Sequence, residues 1–263
     1  MGQYVITGAA QRADGRRGIG AAAAAQLREA GHDVWTIDRE GADAIADLST
    51  PEERARIVED LHTRFPDGID GIATCAAVAG SRGATAQDLV EVNFFATLDL
   101  LEGTRDLVAQ RQGSSVVVAS HTFVLFPKPE LVELYLTLDR EKIRAGVNDH
   151  PSLVVYASGK RALVEWMRTR VADYAAEGVR LNAVVPGYTE TPMTSLEGRS
   201  EADLEFAADF RSKIPLGQRP GKPEEVAAAI TFLLGPTASF VSGSVLLVDG
   251  GHDVNLRPGP VEY

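Results

Sequence analysis

At 263 residues, with 44% hydrophobic and 24% charged side chains, the chain has the makeup of an ordinary globular protein, which excludes extended disorder. Acidic side chains outnumber basic ones to give a formal charge of −11, so duplex nucleic acid and anionic membrane surfaces would on balance repel it. Its one cysteine, Cys75, cannot form an intrachain disulfide, and no apolar run nears the ~20 residues needed to span a bilayer.

Met1 leads straight into a strand-like run, Gln3-Tyr4-Val5-Ile6-Thr7, without the charged and apolar regions of a signal peptide, so a cytoplasmic location is expected. Short Val- and Ile-rich runs predict strands at 3–7, 33–38, 69–75, 115–119, 179–185 and 244–248. Segments of helical period predict helices at about 19–30, 52–64, 87–110, 156–177 and 223–234. The last has Pro223 at its first position, Glu224 and Glu225 in the positive first turn and Gly235 beyond its end. This alternation is that of βαβ units, which build a parallel sheet with helices on both faces. It runs nearly the whole length without a linker or internal repeat, so one domain over residues 1–263 is expected.

After the first strand come Thr7-Gly8-Ala9-Ala10, a polar excursion from Gln11 to Arg17, and Gly18-Ile19-Gly20 opening an alanine-rich helix. Glycines at such a turn let backbone amides approach a pyrophosphate, and the helix N-terminus adds a positive dipole end. A tight turn without a ligand uses the same glycines, but the strand before and the helix after favour a dinucleotide site. The second strand ends in Asp38, 20 residues beyond Gly18. A carboxylate there can accept from both adenosine ribose hydroxyls of NAD and repel the extra phosphate of NADP. Arg17 and Arg39 flank the same region and can meet that phosphate.

Tyr156 and Lys160 stand four residues apart in a helical segment and so share one face. A phenol with a pKa near 10 is a poor base at neutral pH unless a cation stabilises its phenolate, which Lys160 can do. A solvated pair at this spacing is the plain alternative.

These residues and several further motifs, in order, resemble the short-chain dehydrogenases/reductases over almost the whole chain. Thr7-Gly8 with Gly18-Ile19-Gly20 resembles the cofactor turn, and Asp47-Leu48 the adenine-side pair. Thr74-Cys75-Ala76-Ala77 stands where the family has an Asn-rich motif, and Val92-Asn93-Phe94-Phe95 carries its helix asparagine. Ser120 ends the strand run Val116-Val117-Val118-Ala119, and Arg180 to Gly187 matches the strand before the nicotinamide, followed by Thr189, Thr191 and the closing Asp249-Gly250-Gly251.

The resemblance implies an α/β, Rossmann-type doubly wound parallel sheet of about seven strands, and hydride transfer between NAD(H) and a secondary alcohol or ketone. It implies catalytic roles for Asn93, Ser120, Tyr156 and Lys160. Cofactor contacts are implied for Gly8, Gly18, Ile19, Gly20, Asp38, Arg39, Asp47, Leu48, Ala76, Tyr156, Lys160, Pro186, Gly187, Thr189 and Thr191. It further implies a homodimer or homotetramer with no metal, no nucleic-acid partner and no membrane. Local readings stand beside these roles: Ser120 and Asn93 can bond nearby backbone, Thr189 and Thr191 can cap the next segment, and Cys75 reads as a small buried residue without redox function. A halohydrin lyase on the same scaffold would want arginine at position 160, and a non-catalytic NAD-sensing regulator would lack Tyr156 or Ser120; this chain keeps Lys160, Tyr156 and Ser120.

Two departures from the family pattern matter. Nine residues separate Gly8 from Gly18, about six more than is common, and 35 separate Ser120 from Tyr156, where about a dozen is usual. The second insertion, at about 123–150, carries Leu131, Leu134, Tyr135 and Leu138 at helical spacing after Pro127 and Pro129, with Gly146 to stop it. An extra amphipathic helix is expected there, either packed on the surface or serving as a substrate lid. This insertion, the run Ile45 to Thr50 and the tail after Asp249 resemble the bacterial hydroxysteroid dehydrogenase branch of the family. Apolar residues gather after the site motifs: Phe123, Val124, Leu125 and Phe126, then Met193, Leu196, Phe206 and Phe210. They suggest a bulky alicyclic, steroid- or terpenoid-like substrate touching Ser120, Phe126, Met193 and Phe210. The alternative packs them against the extra helix or a neighbouring subunit.

Overall fold

The computed structural model describes residues 1–259. Val- and Ile-rich runs form β1 (Gln3–Thr7), β2 (Asp33–Asp38), β3 (Ala44–Ile45), β4 (Gly71–Thr74), β5 (Ser114–Val118), β6 (Arg180–Pro186) and β7 (Val245–Val248). All pair in parallel in the order β3-β2-β1-β4-β5-β6-β7. The central strands are covered on both faces, and every residue of β4 and β5 is buried. Side chains alternate between two cores. Tyr4, Ile6, Val116, Val118 and Val184 face one side, and Val5, Ile72, Val117, Leu181 and Val185 the other.

The helices are α1 (Ile19–Glu29), α2 (Pro51–Arg64), α3 (Ala86–Val90), α4 (Ala96–Gly103), α5 (Arg105–Ala109), α6 (Thr122–Leu125), α7 (Pro129–Leu136), α8 (Arg140–Gly146), α9 (Ser152–Ala176), α10 (Glu201–Ser212), α11 (Pro223–Leu234) and α12 (His252–Leu256). The chain leaves β1 for β2 on one side and β4 lies on the other, so a crevice opens beyond the carboxyl ends of β1 and β4, where open α/β sheets bind ligands. Gly8, Cys75 and Ser120 follow β1, β4 and β5 at that rim.

Four expectations change. The helix expected over 87–110 is interrupted by a π-helical turn, Glu91–Phe95, and again at Thr104. The helix bearing Tyr156 begins at Ser152, straight after Pro151, so Tyr156 lies in its second turn. The inserted segment is three short helices and not one, because the backbone turns left-handed at Leu138 (φ 58°), and Asp139 caps α8 by accepting from Lys142 N at 3.1 Å. The two-residue strand β3 and helices α10 and α12 are additions.

The insertion is anchored by charge. Arg54 is 1% exposed and donates to Asp99 at 2.7 Å, Glu91 at 3.0 Å and the Leu48 carbonyl at 2.9 Å. From α8, Arg144 reaches Glu91 at 2.6 Å and Arg140 reaches Asp99 at 3.2 Å. One network, buried at Arg54 and Glu91 and reaching the surface at Arg140 and Arg144, therefore joins α2, the π turn, α4 and the insertion. Removing a single partner from such a network strands a buried charge.

Candidate active site

A cleft of about 920 Å³ lies over the strand ends. Its floor begins at Gly8, whose left-handed backbone (φ 67°) sits so close to Ala76 that an added Cβ would fall 2.6 Å from Ala76 N. Thr7 Oγ1 accepts from Ala76 N at 3.0 Å, tying β1 to the segment after β4. Gly20 packs α1 onto the same strand, since a Cβ there would meet Gly8 O at 2.5 Å. Gly18 differs: no protein atom comes closer than 4.0 Å to its Cβ position, so a side chain would project into the cleft. Glycine at this helix start leaves free the space in which an anion meets the first amides.

At the β2 end, the Asp38 carboxylate accepts from Ala10 N at 2.9 Å and Arg39 N at 2.7 Å. Arg39, Arg12 and Glu40 line the same end, and Arg12 lies 3.6 Å from Glu40. Arg17 lines a separate cavity of about 760 Å³ with Arg211 and Lys222 and not the Asp38 end. Asp47 and Leu48 line the cleft. Hydrogen bonds from Ser49, its backbone amide foremost, hold the Asp47 carboxyl below its usual range.

Ser120, Tyr156 and Lys160 come together on one wall. Lys160 is 1% exposed; its Nζ donates to Val118 O at 2.9 Å and lies 5.9 Å from the Tyr156 ring centre. Burial lowers its pKa to about 8. The Tyr156 phenol is pushed upward by burial, and the Ser120 hydroxyl opposes this by hydrogen bonding. The Lys160 ammonium is held by the strand carbonyl, with the Tyr156 ring as its neighbour and not its hydrogen-bond partner. Thr122, which sequence reasoning passed over, donates its hydroxyl to Ser120 Oγ at 3.0 Å and leaves the serine proton free to point elsewhere. A hydroxyl two residues after a strand-end serine is the signal for such a turn. Burial pushes the Cys75 thiol to about 12, which leaves it unreactive as a thiolate.

Asn93 is buried in the π turn, and its amide grips Val78, accepting from N and donating to O at 2.9 Å each. It clasps the segment after β4 and does not line the cleft; nor does Gly20. Ile19, Ala76, Pro186, Gly187, Thr189 and Thr191 do. The two threonine hydroxyls are bonded locally, Thr189 to Gly187 O at 3.1 Å and Thr191 to Thr194 Oγ1 at 3.1 Å.

The apolar wall is aliphatic. Val78, Ala79, Ala84, Val92 and Met193 line the cleft; Phe126 and Phe210 do not. After Ser120 the chain coils into α6, closing Phe126 N on Thr122 O at 3.1 Å. Phe123 is buried in the core beneath Arg161, and Leu196 lines the second cavity. Phe210 packs against His252 at 4.4 Å and Tyr188 at 5.9 Å, while Phe206 is 58% exposed. The side chain of Val124 lies outside the described residues.

The doubly wound sheet and its Ser–Tyr–Lys cleft define a Rossmann-type oxidoreductase. Over 98% of its length the chain is 34% identical to the 3-alpha-hydroxysteroid dehydrogenase/carbonyl reductase of Comamonas testosteroni, covering 99% of that protein. It therefore belongs to the short-chain dehydrogenase/reductase family. Residues 142–253 match the family model described as enoyl-(acyl carrier protein) reductase. Among solved structures, the 3-alpha-hydroxysteroid dehydrogenase from Pseudomonas sp. B-0831 complexed with NADH superposes with a TM-score of 0.87 at 36% identity, over 98% of this chain and 100% of that one. The Thermoplasma acidophilum aldohexose dehydrogenase shares the fold with a TM-score of 0.71 at 22% identity, over 100% of this chain and 96% of that one.

Proposed function

We propose that this protein is an NAD-dependent oxidoreductase that interconverts a secondary alcohol and its ketone, on a bulky alicyclic substrate. The observation that carries the reading is the meeting of Ser120, Tyr156 and Lys160 on the wall of a cleft whose other end presents Asp38. The residues present fit a dinucleotide: Gly18 keeps space open at the start of α1, and Asp38 stands at the β2 end. Gly8, Ile19, Leu48, Ala76, Pro186, Gly187, Thr189 and Thr191 would hold the rest, and when bound there the nicotinamide supplies or accepts the hydride.

The chain's own part is proton transfer and positioning. The Ser120 hydroxyl, with its oxygen already accepting from Thr122, donates to the substrate oxygen. Tyr156 gives that oxygen its proton in reduction and takes it back in oxidation. Because burial raises the phenol's pKa, Tyr156 carries its proton at neutral pH and is poised for the reductive direction. Lys160 sets a cation beneath the phenol at a fixed place, held by Val118 O. Asn93 supports the arrangement from behind by fixing the Val78 segment.

The named activity of the two hydroxysteroid dehydrogenase relatives and the aliphatic wall of Val78, Ala84, Val92 and Met193 support a ring substrate. Self-association as a homodimer or homotetramer is supported by large apolar side chains left outside: Phe240 is fully exposed, and Phe232 on α11 is 43% exposed. Among the described residues no helix is long and apolar enough to cross a membrane. The test is to follow NADH formation across secondary alcohols of increasing ring size, with NAD and NADP in parallel and Tyr156→Phe as control. Turnover that climbs with ring size and disappears in the variant is expected. A preference for small polyols would overturn the substrate class, and an active Tyr156→Phe would overturn the mechanism.

A further inference from the structure

The segment from Tyr188 to Ser200 overhangs the cleft between β6 and α10 and carries Thr191 and Met193 on its inner side. It is pinned from the opposite rim. Arg82, in the short helical turn Gly80–Arg82, donates through Nε to Met193 O at 3.1 Å and through Nη2 to Pro192 O at 3.1 Å and Ser195 O at 2.6 Å. In return Arg199 donates to Ser81 O. Each segment thus puts a guanidinium into the other's backbone. Arg82 has no carboxylate partner among the described residues, so the three carbonyls are its partners.

The turn that bears Arg82 is itself fixed on the catalytic helix. Gly80 lies so close to α9 that an added Cβ would fall 2.3 Å from Ser152 Cβ, and Ser152 opens the helix carrying Tyr156 and Lys160. A third tie comes from the lengthened glycine turn, where Arg16 reaches Glu197 at 3.3 Å. That pair is 51% and 81% exposed and rests on a single contact, whereas Arg82, exposed as well, makes three hydrogen bonds from one guanidinium.

We propose that Arg82 is a positioning residue of the reaction: it holds the 192–195 backbone to the rim of α9, and so fixes where Thr191 and Met193 stand relative to Tyr156. The role rests on the oxidoreductase reading. It depends on the planar fork, since a guanidinium presents Nε and Nη2 along one edge and an ammonium offers a single point. All three acceptors are backbone, so the strap is insensitive to the side chains at 192–195.

The test compares wild type with Arg82→Ala, Arg82→Lys and Arg199→Ala by steady-state kinetics and by hydrogen exchange of the free protein. In Arg82→Ala, KM for the alcohol should rise about tenfold with kcat changed less than about twofold, as loss of charge-assisted hydrogen bonds made equally in ground and transition states would give. Exchange at the Thr194 and Arg199 amides, which donate to Thr191 O and Leu196 O, should quicken by about the same factor. Arg199→Ala should shift both readouts in the same direction, and Arg82→Lys should recover less than half of either loss. Unchanged KM and exchange in Arg82→Ala, or full recovery by lysine, would overturn the proposal. Absence of any alcohol oxidation by the wild type would instead defeat the functional reading and leave the exchange result to decide the strap.

Discussion

His121, the residue after the site serine, stacks on His252 with ring centres 4.8 Å apart and planes inclined by 25°. None of the four ring nitrogens has a hydrogen-bond partner among the described residues, and both rings are buried. The Asp249 and Asp253 carboxylates stand 3.7 Å from His121 Nε2, too far for a hydrogen bond.

Burial holds both imidazoles below their usual range, with Asp249 and Asp253 opposing it, and His252 pushes His121 down further. As pH falls through about 6.5 the unfolded chain takes up these protons before the folded one does, so stability is present above that pH and is lost on acidification. The contribution of this pair to the thermal midpoint should be complete by about pH 7 and decline below it. His252→Leu should flatten the decline; an unchanged slope would place the acid sensitivity elsewhere.

Tyr156 leads to a pH profile for catalysis. Its phenol is pushed above the ordinary tyrosine value, chiefly by burial. Reduction needs the phenol and oxidation the phenolate, so initial-rate kcat/KM for the ketone should hold through neutral pH and fall in strong alkali, while that for the alcohol climbs as pH rises. Parallel profiles in both directions would assign the proton to another group.

Lys160 couples stability to pH in its own window. Its folded pKa is about 8 against an ordinary lysine value of 10.5, so between these the unfolded chain binds more protons and wild-type stability rises with pH. Below about 8 the full cost of the buried cation is present, on the order of 3 kcal/mol from that gap. Relative to wild type, Lys160→Met should therefore look more stable at neutral pH than at pH 10 in urea titrations, while losing turnover. A difference independent of pH would show that the ammonium is better solvated than its burial implies.

Asp38 should set cofactor choice. Its carboxylate is fixed by two backbone amides at the end of the cleft, where a ribose phosphate would meet it. Asp38→Ala should shift the ratio of kcat/KM toward NADP by about tenfold or more, since like charges in a partly desolvated site cost upwards of about 1.4 kcal/mol. A wild type that already prefers NADP would show that Arg12 and Arg39 outweigh the carboxylate.

Legibility in the sequence followed the physics of each element. Helix 223–234 lies where Pro223 and Gly235 mark it, because both ends carry their own backbone chemistry. The π turn left no such mark: Val90, Phe94 and Phe95 keep a buried face whether the local bond closes four or five residues back. In the insertion the apolar spacing ran past Leu138, whose left-handed backbone ends one helix before Asp139 starts the next. The grouping of Gly8, Gly18, Asp38, Ser120, Tyr156 and Lys160 about one cleft was legible because they occupy strand ends and early helix turns, which sequence order alone nearly determines. The substrate wall was not, because Phe123 and Phe210 are apolar for reasons of packing that proximity in sequence does not separate from ligand contact.

The glycine turn has one more consequence. Its two footings are locked: Gly8 against Ala76, and Gly20 against Gly8, with Gln11 N further tied to Gly41 O at 2.7 Å. Everything from Arg12 to Arg17 is hung between fixed points and is exposed. Closing a longer loop between anchored ends grows in cost only slowly, by about 0.6 kcal/mol per doubling of length. The protein thus offers a grafting port at Gly15, around whose Cβ position nothing lies within 4 Å, where a reporter or affinity peptide can be spliced clear of Arg12 in the cleft lining.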